Sequence, residues 1–202
     1  MEENINNQVS NEEIPQKSKL KKGWEGFWDL LKFAIIALLI VIPIRMFIAQ
    51  PFVVSGESMV PTFHDKEYLI VDEISYILGN PHRGDVVIFR YPNDTKRFFI
   101  KRIIGLPNEE IKINNGEITI INSENPNGFI LDEPFLNEKF STTTFFKTGD
   151  KEYYVLGDNR NRSSDSRTWG ALPDELMIGR AFLRLYPLKE LSYLPGYFNQ
   201  NK

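Results

Sequence analysis

The sequence predicts a mainly β protein, with a single N-terminal transmembrane helix followed by an antiparallel β-sheet or barrel-like domain. Three observations predict it. One apolar run lies near the N-terminus, from Leu30 to Ala49. Beyond residue 50, short runs of β-branched and aromatic residues recur between clusters of Gly, Asn, Asp and Pro. No helix–strand alternation, internal repeat or G-x-G-x-x-G breaks that pattern.

Residues 1–16 are rich in Asn, Glu and Gln and hold too little apolar surface to offset the cost of ordering. Lys17, Lys19, Lys21 and Lys22 follow, so residues 1–22 read as a disordered cytoplasmic tail. Residues 23–49 read as a membrane anchor with an interfacial flank. Trp24, Phe27 and Trp28 suit the interface, where ring bodies are apolar and their edges wet. The uninterrupted apolar stretch Phe33–Ile44 has only 12 residues, whereas a span needs about 20. Lys32 and Arg45 lie near its ends, where long side chains snorkel to the headgroups. With them included the segment reaches about 30 Å as a helix. A cleaved leader needs small residues before the cut; here Phe47 stands where a small residue is wanted. The lysines before the span put the N-terminus in the cytoplasm and everything from residue 50 on the far side.

Residues 50–190 form the β-rich domain. V-V-I-F-R-Y, F-F-I-K-R-I-I, E-I-K-I, E-I-T-I-I and Y-Y-V-L read as strands. H-R-G-D, N-P-N-G and K-T-G-D read as turns. In I-K-I-N-N-G-E-I-T-I, Asn115-Gly116 makes a two-residue hairpin turn. Residues 122–150 are polar and turn-rich, an excursion from the main sheet, and 191–202 read as a C-terminal tail.

Composition removes several chemistries. A net charge of -3 gives no electrostatic case for nucleic acid. Without cysteine there are no disulfides, no thiolate nucleophile and no Cys-ligated zinc. Two histidines, His64 and His82, argue against a His-based metal site. No metal or organic cofactor is expected.

V-S-G-E-S-M-V-P-T-F, residues 54–63, presents one hydroxyl, Ser58, between a flexible Gly56 and a stiff Pro61. A nucleophilic serine needs a proton acceptor. His64 is too near in sequence to pair easily, and His82 sits in a turn. Lysine is the other route, provided an apolar site lowers its pKa from about 10.4. Lys101, in R-F-F-I-K-R-I-I-G-L-P, has such surroundings. Strand alternation puts Phe99, Lys101 and Ile103 on one face and sends Arg102 to the other. An edge-strand lysine that blunts aggregation would fit this segment equally well. A third stretch, G-D-N-R-N-R-S-S-D-S-R at 157–167, packs hydroxyls and opposite charges into one loop. A solvated loop can look like this; so can one that holds a lysine in place.

Together the apolar run, S-G-E-S-M-V-P-T, R-G-D-V-V-I-F-R-Y-P, K-R-I-I-G-L-P and G-D-N-R-N-R-S-S-D-S-R resemble, in this order, the type I signal peptidases. The resemblance covers about residues 24–187 and leans to the Gram-positive, cyanobacterial or thylakoid branch. It implies a membrane-bound Ser-Lys endopeptidase that cleaves signal peptides from exported preproteins after small residues at -1 and -3. By position, Ser58 is then the nucleophile, Lys101 the general base, and Ser163 the hydroxyl that bonds the lysine amine. Asp165 with Arg167, and Asp158 with Arg102, are supporting pairs. Where some members carry a serine whose hydroxyl helps bind the oxyanion, this chain has Gly56. Phe52, Val54, Met59 and Ile100 are candidates for the substrate pockets. The partners implied are signal-peptide C-regions and the lipid bilayer. Two rival classes are a LexA-like Ser-Lys autoprotease and a membrane-tethered β-domain with degenerate peptidase motifs.

Overall fold

The computed structural model describes residues 17–43, 50–136 and 140–198. The chain divides into two compact units, 1–43 and 44–202. The first unit holds helix α1, Lys17–Pro43. It starts at Lys17, not at residue 23, so the lysine cluster is helical; lysine is a good helix former. Trp24, Phe27 and Trp28 pack on one another, with ring centroids 6.2 to 6.5 Å apart. No helix among the described residues is long and apolar enough to cross a membrane. Asp29 and Lys32, paired at 3.3 Å, stand at the start of the apolar stretch. The expected anchor ran on to Ala49, and residues 44–49 lie outside the described residues. So do residues 1–16 of the expected tail and residues 199–202.

The second unit is mainly β. In chain order its strands are β1 (Gln50–Val53), β2 (Tyr68–Asp72), β3 (Val86–Tyr91), β4 (Asp94–Gly105), β5 (Glu110–Asn114) and β6 (Glu117–Ile121). Then come β7 (Phe129–Ile130), β8 (Thr144–Lys147), β9 (Glu152–Leu156), β10 (Leu172–Pro173), β11 (Met177–Tyr186) and β12 (Ser192–Tyr193). The larger sheet runs β1-β2-β11-β3-β4-β9-β10, with β12 on β11, and the smaller runs β7-β6-β5-β8. Neighbouring strands pair antiparallel throughout.

The unbroken apolar run V-V-I-F of β3 is explained by burial on both faces. Val86 and Ile88 enter a core with Val54, Met59, Phe63 and Leu69. Val87 and Phe89 enter another with Ile103, Tyr153 and Val155. Strand alternation therefore separates two cores across one sheet.

The hairpin β5–β6 turns at Asn115 and Gly116, with φ of 47 and 86°, as a type I′ turn requires. A Cβ on Gly116 would lie 2.2 Å from the Phe140 carbonyl oxygen, so that position is closed to a side chain. The excursion is larger than 122–150. β7 pairs with β6 and β8 with β5, so the second sheet already begins at Glu110. Its isoleucines, Ile111, Ile113, Ile118 and Ile120, need a core of their own and recruit Leu131 and Phe140 from the excursion. The expected C-terminal tail also changes. β12 pairs with β11, the Gly196 carbonyl accepts from Arg102, and Phe198 packs on Phe135. Residues 191–198 thus belong to the folded domain.

Candidate active site

Three sequence stretches converge because of strand register. On β4, Lys101 faces Val87 of β3, and Arg102 pairs with Leu156, the last residue of β9. The chain leaving β9 is Gly157-Asp158, so the 157–167 loop starts beside β4. On the other side, Val54 donates to the Glu67 carbonyl and accepts from Lys66, extending the β1–β2 ladder before the chain turns through Ser58. Two bonds then join the turn to the loop. The Asn159 N–H donates to the Ser58 carbonyl at 3.0 Å, and Asn159 Nδ2 to the Glu57 carbonyl at 3.1 Å.

Lys101 is buried, with 4% of its surface exposed. Its Nζ lies 2.8 Å from Ser58 Oγ and donates to the Ile100 carbonyl at 2.9 Å. It also stands 5.1 Å from the centre of the Phe99 ring, the neighbour that alternation put on its face. No carboxylate among the described residues bonds it. Burial pushes its pKa down to about 8, against the upward pull of Asp165 and Asp158. Removing the amine from water disfavours its charged form, and nothing in contact restores the charge. A neutral amine within hydrogen-bond distance of a serine hydroxyl can act as its base.

Arg102 sits on the opposite face, fully buried. Its Nε and Nη2 bind Asp158 at 2.8 and 2.6 Å, and Nη1 donates to the Gly84 carbonyl at 2.9 Å. Thr62, four residues past Ser58, donates to the same carboxylate. Asp165, also fully buried, accepts from Arg167 Nε and Nη2 at 2.8 Å each, and from the Gly157 N–H at 3.1 Å. It caps the short helix α2, Ser166–Trp169, through the Arg167 N–H.

Ser163 is brought to the site but does not bond the lysine amine. Its hydroxyl is buried with no hydrogen-bond partner among the described residues, while the Lys101 amine is satisfied by Ser58 and Ile100. The hydroxyl packs against Gly157. A Cβ there would lie 2.2 Å from Ser163 Oγ and 2.4 Å from the Ser58 carbonyl oxygen. Only glycine fits between the two serines.

A cleft of about 500 Å³ opens beside Ser58 and Lys101. Phe52, Val54 and Ile100 line it, with Leu69, Ile88 and Phe98. Met59 does not. It is 1% exposed and lies in the core with Val54, Phe63 and Leu69. Ser58 points to the cleft, so the next side chain turns inward. Glu57, Arg162 and Ser164 form a polar part of the rim, with Arg162 Nη1 bound to Glu57 Oε2 at 2.7 Å. Neither that pair nor the two Asn159 bonds were foreseen. The sequence signal was only that asparagine and arginine fall in the same loop.

His64 is exposed and lies 3.5 Å from Glu67, and His82 is exposed near Asp85. Neither hydrogen-bonds Ser58 among the described residues. His64, Glu67 and Glu190 are close enough to share a cation, but Arg184 already supplies one. Its Nη1 lies 3.2 Å from Glu67 and 2.6 Å from Glu190.

A buried lysine amine on an interior strand thus lies on a serine hydroxyl beside an apolar cleft, an arrangement that can do the chemistry of a serine hydrolase. Comparison with known proteins narrows it. Residues 27–186 match the family described as "Signal peptidase, peptidase S26", and the chain belongs to that family. It is 39% identical over 178 residues to a "Probable signal peptidase I-2" of Synechocystis sp., covering 84% of this chain and 78% of that protein. It is 37% identical over 175 residues to "Signal peptidase I U" of Bacillus subtilis, covering 80% and 88%. A solved signal peptidase I of Enterococcus faecalis aligns with a TM-score of 0.44 at 28% identity, over 50% of this chain and 96% of that one.

Proposed function

We propose that this chain is a membrane-anchored signal peptidase that cleaves exported preproteins with Ser58 as nucleophile and Lys101 as general base. Family membership makes it a serine endopeptidase of the signal peptidase type. The observation that carries the dyad is the buried Lys101 amine, 2.8 Å from Ser58 Oγ, with its pKa down at about 8.

The extended C-region of a signal peptide pairs with the sheet edge at β1 by strand addition. Small side chains at -1 and -3 enter the shallow apolar pockets of Phe52, Val54 and Ile100. Neutral Lys101 takes the Ser58 proton as Oγ bonds to the carbonyl carbon of the -1 residue. The oxygen of that carbonyl becomes an oxyanion, which backbone N–H groups stabilise. The C–N bond then breaks, and the Lys101 ammonium gives its proton to the leaving amine. Neutral again, Lys101 deprotonates the water that hydrolyses the ester, which frees the signal peptide. Asp158 with Arg102, and Asp165 with Arg167, hold the loop that backs Ser58. Ser163 is a supporting hydroxyl, packed against Gly157 where the Ser58 carbonyl also comes close. No metal or organic cofactor enters.

The apolar run 30–49 is the anchor, with residues before it in the cytoplasm and the catalytic domain on the outer side. The lysines ahead of it support that orientation. The test is cleavage of a preprotein bearing an Ala-x-Ala site by the full chain in detergent and in lipid. Wild type should cut after the -1 Ala, and Ser58→Ala and Lys101→Ala should not. Cleavage that persists in Lys101→Ala would mean that another group is the base.

A further inference from the structure

In a planar trans peptide, the carbonyl of one residue and the N–H of the next point in opposite directions. Whatever pins the Glu57 carbonyl therefore aims the Ser58 N–H. Two donors reach that carbonyl. The Val60 N–H, at 3.2 Å, closes the turn on itself. Asn159 Nδ2, at 3.1 Å, comes from outside the turn and fixes it in the domain. A carbonyl oxygen only accepts, so the amide nitrogen of Asn159 must face it. The Asn159 backbone N–H also holds the Ser58 carbonyl at 3.0 Å, and so orients the following peptide.

Asn159 is itself well placed to bear this load. Its carbonyl accepts from the Arg162 N–H at 3.0 Å, and the preceding Asp158 is locked to buried Arg102. The Ser58 N–H makes no bond among the described residues, so it remains available as a donor. Gly56, two residues earlier, has a φ of 91° and no side-chain donor to share the task.

We infer, resting on the proposed Ser58–Lys101 chemistry, that Asn159 is the positioning residue of the oxyanion hole: its side-chain amide pins the Glu57 carbonyl and so aims the Ser58 N–H at the developing oxyanion. Asn159 touches neither substrate nor the reacting atoms. It acts on the donor's direction, which matters in the transition state and little in the ground state.

The experiment compares wild type, Asn159→Ala, Asn159→Asp and Ser58→Ala on one preprotein with an Ala-x-Ala site, using the full chain in detergent. Folding of each variant is checked by thermal melting. Two peptide inhibitors ending at the -1 residue are added, one an aldehyde and one the corresponding alcohol. The aldehyde forms a hemiacetal with Ser58 and needs the oxyanion donor; the alcohol does not. In Asn159→Ala, kcat should fall on the order of 10²-fold, the loss typical of one oxyanion donor. KM should stay within about 3-fold, the sign of an interaction made in the transition state. The apparent pKa should remain near 8, because Lys101 is untouched. Aldehyde inhibition should weaken with kcat while alcohol inhibition holds. Asn159→Asp keeps the shape and loses the donor, so it should fall at least as far. Wild-type kcat in Asn159→Asp would overturn the inference, and so would equal weakening of aldehyde and alcohol. Should Ser58→Ala still cleave, the dyad itself fails and this role falls with it. A dead Ser58→Ala beside fully active Asn159 variants removes the positioning role alone.

Discussion

Lys101 and Arg102 are consecutive residues on β4, both cations and both buried, yet they live in opposite chemical worlds. Arg102 faces a carboxylate bound twice, two carbonyls and a hydroxyl. Lys101 faces one serine hydroxyl, one carbonyl and a phenyl ring. The first is a fixed charge that ties β4 to the 157–167 loop and the last residues of the domain. The second is a cation that its surroundings do not favour, and so a base in waiting. Burial alone does not decide what a charged side chain does; the partners met on each face decide it.

Breaking the comparison on the lysine side should give the largest effect. Lys101→Ala removes the proposed base, a role worth about 10²–10⁴-fold in rate, and preprotein cleavage should fall by at least that much with the melting temperature maintained. On the arginine side the loss is in stability. Arg102→Met leaves Asp158 buried without its partner, which costs on the order of 3–5 kcal/mol, read by chemical denaturation. Its activity should fall at least in step with the folded fraction, and further as the loop behind Ser58 loosens.

A subtler contrast comes from pH. The folded pKa of Lys101 lies at about 8 against 10.5 in an unfolded chain. Between those values the unfolded chain holds a proton that the folded one has released, so stability rises with pH across that window. Below about 8 the full cost of burying the amine is present, about 3 kcal/mol at 1.36 per unit. Lys101→Met should thus be more stable than wild type at pH 7, and the gap should close as pH rises to 10.5. A constant gap would mean that the amine is not desolvated. Gly157→Ala should come next, since its Cβ meets Ser163 Oγ and the Ser58 carbonyl. Overpacking of this kind costs about 1–3 kcal/mol, and here it would also push Ser58 away from Lys101, so cleavage should drop more than stability. The smallest effect belongs to Arg162→Gln. Its bond to Glu57 is exposed, and such pairs contribute about 0.2–1 kcal/mol.

The sequence made the Lys101 face legible because alternation on a strand is strict and its neighbours are apolar. The same rule sent Arg102 to the other face, where it meets Asp158. Met59 was misread, because the chain turns at Ser58 and its side chains no longer follow strand alternation. Strand β11 was missed, since Gly179 breaks its pattern. That glycine is required by a close approach: a Cβ would lie 2.3 Å from the Asp72 carbonyl oxygen. β1 was also missed, being four residues long with Pro51 inside. The extent of the second sheet was hidden because β7 and β8 are short and the 13 residues between them in sequence, 131–143, carry no strand pattern. The hold of Asn159 on the Ser58 turn was beyond reach, because backbone carbonyls leave no trace in residue identity.

If neutral Lys101 is the base, the pH dependence of kcat/KM for the free enzyme must follow its titration. The rate should climb through an apparent pKa of about 8 and then level off. A profile governed by a group titrating near 6.5, an ordinary histidine value, and abolished by His64→Ala or His82→Ala, would contradict it.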